Sequence, residues 1–159
     1  MYIDLIVVGK LKERHWREAC SEYEKRLSRY HRLRLIAVAD EKDPPDQSAK
    51  AIGQVCQREG LRIKEKIAPH TYVIALAVDG KRYSSETFAR HLADLDGRGH
   101  THLTLIIGGS HGLSDDILQM ADEKLSFSDF TFPHQLMRVI LLEQLYRAAR
   151  INAGEPYHK

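Results

Sequence analysis

The sequence predicts an α/β protein, a single Rossmann-like domain whose mostly parallel sheet is covered by helices on both faces. Three observations carry this. The runs IDLIVVG, LRLIAVA, TYVIALAV and HLTLIIG are continuously apolar, as strands buried on both faces are. The segments between them space their apolar residues as helices do, and such alternation is the pattern of a parallel sheet. The 159 residues, 43% of them apolar, suffice for one sizeable core and are too few for two ordinary domains, so residues 1–159 form one domain.

Ile3 to Gly9 is the first predicted strand, and Trp16, Ala19, Cys20, Tyr23, Leu27 and Tyr30 then recur at helical spacing. Leu33 to Ala39 is the second strand. In DEKDPPDQS, Asp40 to Ser48, two prolines exclude both helix and central strand, which leaves a long surface loop. A helix from Ser48 to about Ile67 follows, then a strand from Thr71 to Val78. Asp79 beside Gly80 reads as a turn. The next helix starts at Ser84 or Ser85, either of which can cap it through its hydroxyl. After the strand His102 to Gly108 come a short helix beyond Ser114, the apolar fragment KLSFS, and a long helix from Pro133, a residue suited to a first helical turn.

Composition narrows the function. The formal charge of +2 is bland, but Lys10 to Arg34 holds nine Lys/Arg against four Glu, and Asp115 to Asp129 is acidic. A basic first helix either contacts phosphates through charge attraction and counterion release or is a solvated face. Cys20 and Cys56 stand in no CxxC or Cys/His cluster, so they read as packed thiols, and His100 with His102 makes a weak metal case. No metal is expected. The apolar start is too short and wrongly flanked by KLKERHWRE for a signal peptide or membrane span, which points to the cytoplasm and away from a membrane.

The stretch LIIGGSHGLSDD, Leu105 to Asp116, contains a literal G-x-S-x-G. As a hydrolase elbow it would make Ser110 the nucleophile, with Asp122 or Asp129 as acid and His134 or His158 as base. The predicted helix starts only near Ser114, however, so Ser110 would not sit at a strand-to-helix junction, and no HGGG-like loop supplies a second oxyanion donor. The spacing also fails both GxGxxG and the P-loop. What remains is a loop at a strand's carboxyl end, where ligands bind in parallel sheets, with glycines that let backbone approach a flat ligand.

The last helix, with Leu136, Met137, Val139, Ile140, Leu141, Leu142 and Leu145, is apolar nearly all round and must be buried in the fold or against another subunit. Arg138, Glu143, Arg147 and Arg150 interrupt it. Glu143 and Arg147 are spaced to pair, but an exposed i,i+4 pair gives only ~0.2–0.5 kcal/mol, too little to explain charges there.

LIIGGSHGL, LSFSDFTFPHQLMRVILLEQLYRA and EPYHK, with VVGKLKE and YVIALAVDGK earlier, make the whole chain resemble the RlmH family, small SPOUT-class methyltransferases of a pseudouridine in large-subunit (23S) ribosomal RNA. The resemblance implies a sheet whose carboxyl-terminal part threads a deep trefoil knot, a connection that periodicity does not reveal. It implies S-adenosyl-L-methionine as cofactor, held by Leu76, Gly108 and the run Phe127, Ser128, Asp129, Phe130, Thr131 and Phe132. Ser110 is then no nucleophile.

The expected reaction moves the sulfonium methyl to N3 of pseudouridine, which requires positioning and a group that accepts the N3 proton. Arg138, Tyr157 and His158 are the catalytic candidates. Arg138 either steadies the target base or only holds carbonyls or a carboxylate. Tyr157 and His158 either close a site, in a homodimer that of the other subunit, or form a frayed end. Asp129 is expected to contact the cofactor loop and not to be the base. Lys10, Lys12, Arg14, Arg17, Arg29 and Arg32 are candidate phosphate contacts to ribosomal RNA, free or in the assembled ribosome. The rival readings are a GxSxG hydrolase, a non-catalytic RNA-binding module, and a methyltransferase of the same class acting on another RNA.

Overall fold

The structure, a computed structural model, describes residues 1–157. Among the described residues ten elements follow one another as β1 (Tyr2–Val8), α1 (Arg14–Leu27), β2 (Arg32–Val38), α2 (Ala49–Lys64), β3 (Tyr72–Lys81), α3 (Ser85–Gly97), β4 (His102–Ile107), α4 (Asp115–Met120), β5 (Glu123–Leu125) and α5 (His134–Asn152). The strands pair in parallel in the order β2-β1-β4-β3-β5.

The continuous apolar runs have the expected cause. In β1 Ile3, Leu5 and Val7 face one core with residues of α1, α3 and α5, while Ile6 and Val8 face a second core with Ile63 of α2 and Ile117 of α4. Successive strand side chains point to opposite faces, so a strand covered on both sides is apolar at nearly every position, and buried Asp4 is the exception in β1, paired with Arg34 and His102. Each fully buried Leu or Ile contributes roughly 1.5–3 kcal/mol. No helix among the described residues is long and apolar enough to cross a membrane.

Three local expectations are sharpened or corrected. Ser84, not Ser85, caps α3, its Oγ accepting from the Thr87 N–H at 3.2 Å. Pro133 lies one residue before α5, in an extended conformation, and its carbonyl accepts from Met137 N–H at 3.0 Å. Asp79 and Gly80 are not a turn. They continue β3 to Lys81 through an irregular pairing with Leu125 of β5, and a Cβ on Gly80 would stand 2.6 Å from the Leu125 carbonyl carbon.

α5 packs between α1 and α3. It buries Leu141, Leu142, Leu145, Tyr146, Ala148 and Ala149 within the chain, whereas Leu136, Val139 and Ile140 are only half-buried. Its apolar circumference is therefore satisfied on one side.

Candidate active site

Beside the second half of β3 and beyond the carboxyl ends of β4 and β5 lies a cleft of about 690 Å³. β3 contributes Leu76, Ala77 and Val78, β4 ends in Ile107 and the loop Gly108 to Gly112, β5 leads into Leu125 to Ser128 and Phe130 to Phe132, and the start of α5 adds Pro133, His134 and Met137. Parallel strands all present their ends to the same edge of the sheet, so loops distant in sequence converge there.

The glycine loop is shaped by its own packing. Gly112 N–H donates to the Gly109 carbonyl at 3.1 Å, with Gly112 at φ +84°, a region that side chains with a Cβ disfavour. A Cβ on Gly108 would lie 2.5 Å from the Gly112 oxygen. Closure of this turn, rather than approach to a ligand, is thus the reason the structure gives for glycine at 108. The loop after β5 is fixed locally too: Ser126 Oγ donates to the Ser128 carbonyl at 3.3 Å and Ser128 Oγ accepts from Phe130 N–H at 3.0 Å.

Leu76, Gly108, Phe127, Ser128, Phe130, Thr131 and Phe132 all line this one cleft. Asp129 does not. Its side chain is 80% exposed and paired with Arg82. Arg138 is also placed elsewhere: 2% exposed, it donates from Nη2 to the carbonyls of Val8 at 2.5 Å and Gly9 at 2.9 Å. Burial lowers its pKa, and Nε has no protein partner. Of the two roles open to Arg138 in the sequence, the structure shows the holding of carbonyls.

Tyr157 packs edge-on to Tyr146 with ring centres 4.9 Å apart, and Arg147 covers its ring at 4.7 Å. That is about 13 Å along α5 from Met137, taking 1.5 Å per residue, and Tyr157 is not part of the cleft lining of its own chain. His158 lies outside the described residues.

Ser110 lines the cleft, but α4 begins only at Asp115 and, among the described residues, Ser110 has no hydrogen bond to a histidine. Asp122 is engaged elsewhere, accepting from the Val73 N–H at 2.7 Å. Among the described residues the hydrolase geometry is absent.

Two histidines also face the cleft. His111 sets Nε2 2.8 Å from Asp43 Oδ1, whereas His134 makes no side-chain hydrogen bond among the described residues. Both also border a narrow recess of about 50 Å³ on the β1 side, with Asp40, Glu41, Asp43 and Glu59. Burial pushes the Glu59 carboxyl up, against a hydrogen bond from Glu41 N–H at 3.0 Å. Burial, then the Arg138 charge, pulls His134 below its ordinary value. In the sequence His134 had a role only within the discarded triad; its place beside Pro133 at the head of a helix that follows the cofactor run was the signal.

The fold and cleft define an α/β protein whose ligand crevice is made by loops at the carboxyl ends of parallel strands. The family described as "Predicted SPOUT methyltransferase" matches residues 1–158. A protein of Clostridioides difficile (strain 630) named "Ribosomal RNA large subunit methyltransferase H" is 54% identical over 159 residues, with all of both chains covered. One of the same name from Bifidobacterium adolescentis is 55% identical, again over the full length of both. In fold, the chain is similar to a probable methylase family protein from Haemophilus influenzae Rd KW20, with a TM-score of 0.55 at 11% identity, covering 99% of this chain and 70% of that one. The chain belongs to the SPOUT methyltransferase family.

Proposed function

We propose that the chain transfers the methyl group of S-adenosylmethionine to N3 of a pseudouridine in large-subunit ribosomal RNA, in the cytoplasm. The observation that carries this is the convergence of Leu76, Gly108 and the loop from Phe127 to Phe132 on one cleft. The full-length relatives named as large-subunit ribosomal RNA methyltransferases support the substrate class. The pseudouridine and its N3 rest on the resemblance of the sequence motifs.

The residues present fit the cofactor. The cleft is of the size that takes small ligands, roughly 300–1,000 Å³, and its wall combines apolar side chains with glycine-loop main chain that can direct N–H and C=O groups at an adenosyl ligand. Leu76, Gly108 and Phe127 to Phe132 would hold it, with Asp129 contributing through the loop's backbone. Bound there, it supplies an already electrophilic methyl group, so the protein's work is positioning and proton removal. Threading of the chain end through these loops as a deep trefoil knot is part of the proposal.

A homodimer completes the reading. The half-buried Leu136 and Ile140, which belong to neither core, give α5 a second apolar side for another subunit. Tyr157 and His158 would then close the partner's cleft. Lys10, Lys12, Arg14, Arg17, Arg29 and Arg32 serve as phosphate contacts to the RNA, as free chain, subunit or whole ribosome. Arg14 is held only by an exposed pair with Glu18 at 2.5 Å, and Arg29 and Arg32 border a groove of about 370 Å³ with Tyr2.

The test is calorimetric titration with S-adenosylmethionine of the parent and a Gly108→Trp variant, followed by methyl transfer to unmodified ribosomes and mapping of the product nucleotide by mass spectrometry. Saturable binding by the parent alone and a methyl group on pseudouridine N3 are expected. A methyl group on another base would replace the substrate assignment, and no binding by folded, cofactor-free protein would overturn the reading.

A further inference from the structure

From the side chains that border the cleft we infer that His134 is the group that accepts the N3 proton of the target pseudouridine. This rests on the methyltransferase reading above and assigns a role that reading leaves open.

An imide N–H must lose its proton as the nitrogen attacks carbon, and the acceptor must stand within hydrogen-bond reach, directly or through one water. The carboxylates are badly placed: Asp129 points into solvent beside Arg82, and Glu59 lies in the adjoining recess, bonded to Glu41 N–H. Arg138 carries protons already and is buried beneath Val8 and Gly9. The hydroxyls of Ser110, Ser126, Ser128 and Thr131 are too weakly basic unless another base activates them. Among the residues with which this chain lines its own cleft, the imidazoles of His111 and His134 are the side chains suited to accept a proton.

Between these two, His111 directs Nε2 at Asp43, whereas His134 makes no side-chain hydrogen bond among the described residues and borders both the cleft and the acidic recess. The groups that face it are Arg138 on α5, Glu13 ahead of α1, Asp40 after β2, and, across the recess, Glu41, Asp43, Glu59 and His111. Burial and the Arg138 charge favour the neutral imidazole, while Asp40 and Glu13 oppose them. A neutral imidazole is the form that can take up a proton.

The step balances. The N3–H bond breaks and its proton bonds to an imidazole nitrogen of His134; the N3 electron pair forms the N–CH₃ bond; the C–S bond of the sulfonium donor breaks and its electron pair remains on sulfur as a neutral thioether. The recess, with Asp40 and Asp43 on its wall, offers the imidazolium a route to return the proton to water.

The experiment uses full-length protein, S-adenosylhomocysteine as the binding probe and unmodified ribosomes as acceptor. Single-turnover methyl transfer is measured across pH for the parent, His134→Ala, His134→Gln and His111→Gln. The parent should show a rate that rises with pH through a value below the ordinary histidine range and then levels off. His134→Ala and His134→Gln should be slowed about 10²–10⁴-fold, the usual scale for loss of a general base, with no such rise. They should keep S-adenosylhomocysteine affinity within threefold, and added imidazole should partly restore His134→Ala. His111→Gln should keep the rise.

A His134→Ala rate within threefold of the parent, loss of the rise in His111→Gln instead, or lost S-adenosylhomocysteine binding in both His134 variants would each overturn the assignment. A parent that binds the probe yet methylates no pseudouridine would overturn the functional reading, and the assignment with it.

Discussion

Replacing Arg138 by methionine distinguishes a structural from a substrate-directed role for this residue. Its Nη2 donates to the carbonyls of Val8 and Gly9, at 2.5 and 2.9 Å, where β1 ends. Hydrogen bonds to a charged group contribute roughly 1.5–3 kcal/mol each, so two of them amount to about 3–6 kcal/mol. Methionine fills most of the aliphatic volume and removes a guanidinium whose desolvation costs several kcal/mol, which offsets part of that loss. Two carbonyls without a donor remain, each at about 1–3 kcal/mol. The net expectation is a destabilisation of ~2–4 kcal/mol, which at a urea m-value of about 2 kcal/mol/M lowers the midpoint by roughly 1–2 M. Equilibrium urea unfolding at fixed protein concentration reads this directly, the concentration being held because subunit association would add to apparent stability. Arg138→Lys should recover only part, since an ammonium lacks the planar fork of donors. Methyl transfer per folded molecule, measured well below the unfolding range, should fall by no more than about tenfold, equivalent to ~1.4 kcal/mol. An unchanged midpoint with transfer reduced a hundredfold or more would refute the structural role and place the guanidinium on the substrate.

Gly108→Ala should cut S-adenosylhomocysteine affinity at least tenfold, by calorimetry, because its Cβ would meet the Gly112 oxygen at 2.5 Å and force the turn open. Deleting Pro156 to Lys159 removes the packing of Tyr157 on Tyr146 and Arg147 and should cost about 1–2 kcal/mol, roughly 0.5–1 M in the urea midpoint, while abolishing methyl transfer; unchanged transfer would end the proposed role of Tyr157 and His158. Burial, together with the N-terminal charge, pulls His31 below its ordinary value, so its contribution to stability is present above the unfolded-state value near 6.5 and is lost as pH falls through the lower folded value. Because burial pushes Glu24 and Glu59 the opposite way, the measurement is the difference between parent and His31→Gln at pH 7.5 and 5.5. The parent's advantage should shrink at the lower pH, and a larger advantage there would contradict the sign.

Legibility in the sequence followed the range of the interactions. The parallel sheet was readable because IDLIVVG and HLTLIIG carry their two-sided burial in every residue. β5 was not, since three residues are too few for a period, and with it went the extension of β3 through Asp79 and Gly80, which exists because β5 covers it. The cleft loops became legible only through family motifs: nothing in Leu76, Gly108 and Phe127 alone says that three strands of the sheet bring them to one cleft. Arg138 stood out as a charge in an apolar helix, but its acceptors lie about 130 residues earlier, and only the fold identifies them.

Those acceptors also explain why one helix carries so much of the candidate site. His134 and Met137 line the cleft from the first turn of α5, Arg138 follows and holds the end of β1, and Leu141, Leu142 and Leu145 seat the next two turns in the core. A rigid helix transmits the position of its seated turns to its first one, so cleft geometry depends on how firmly Arg138 and the leucines fix α5. The cleft residues of the first turn need no buried partners of their own. His134 can therefore be without a side-chain hydrogen bond among the described residues and still be held in place, as the proposed proton acceptor must be.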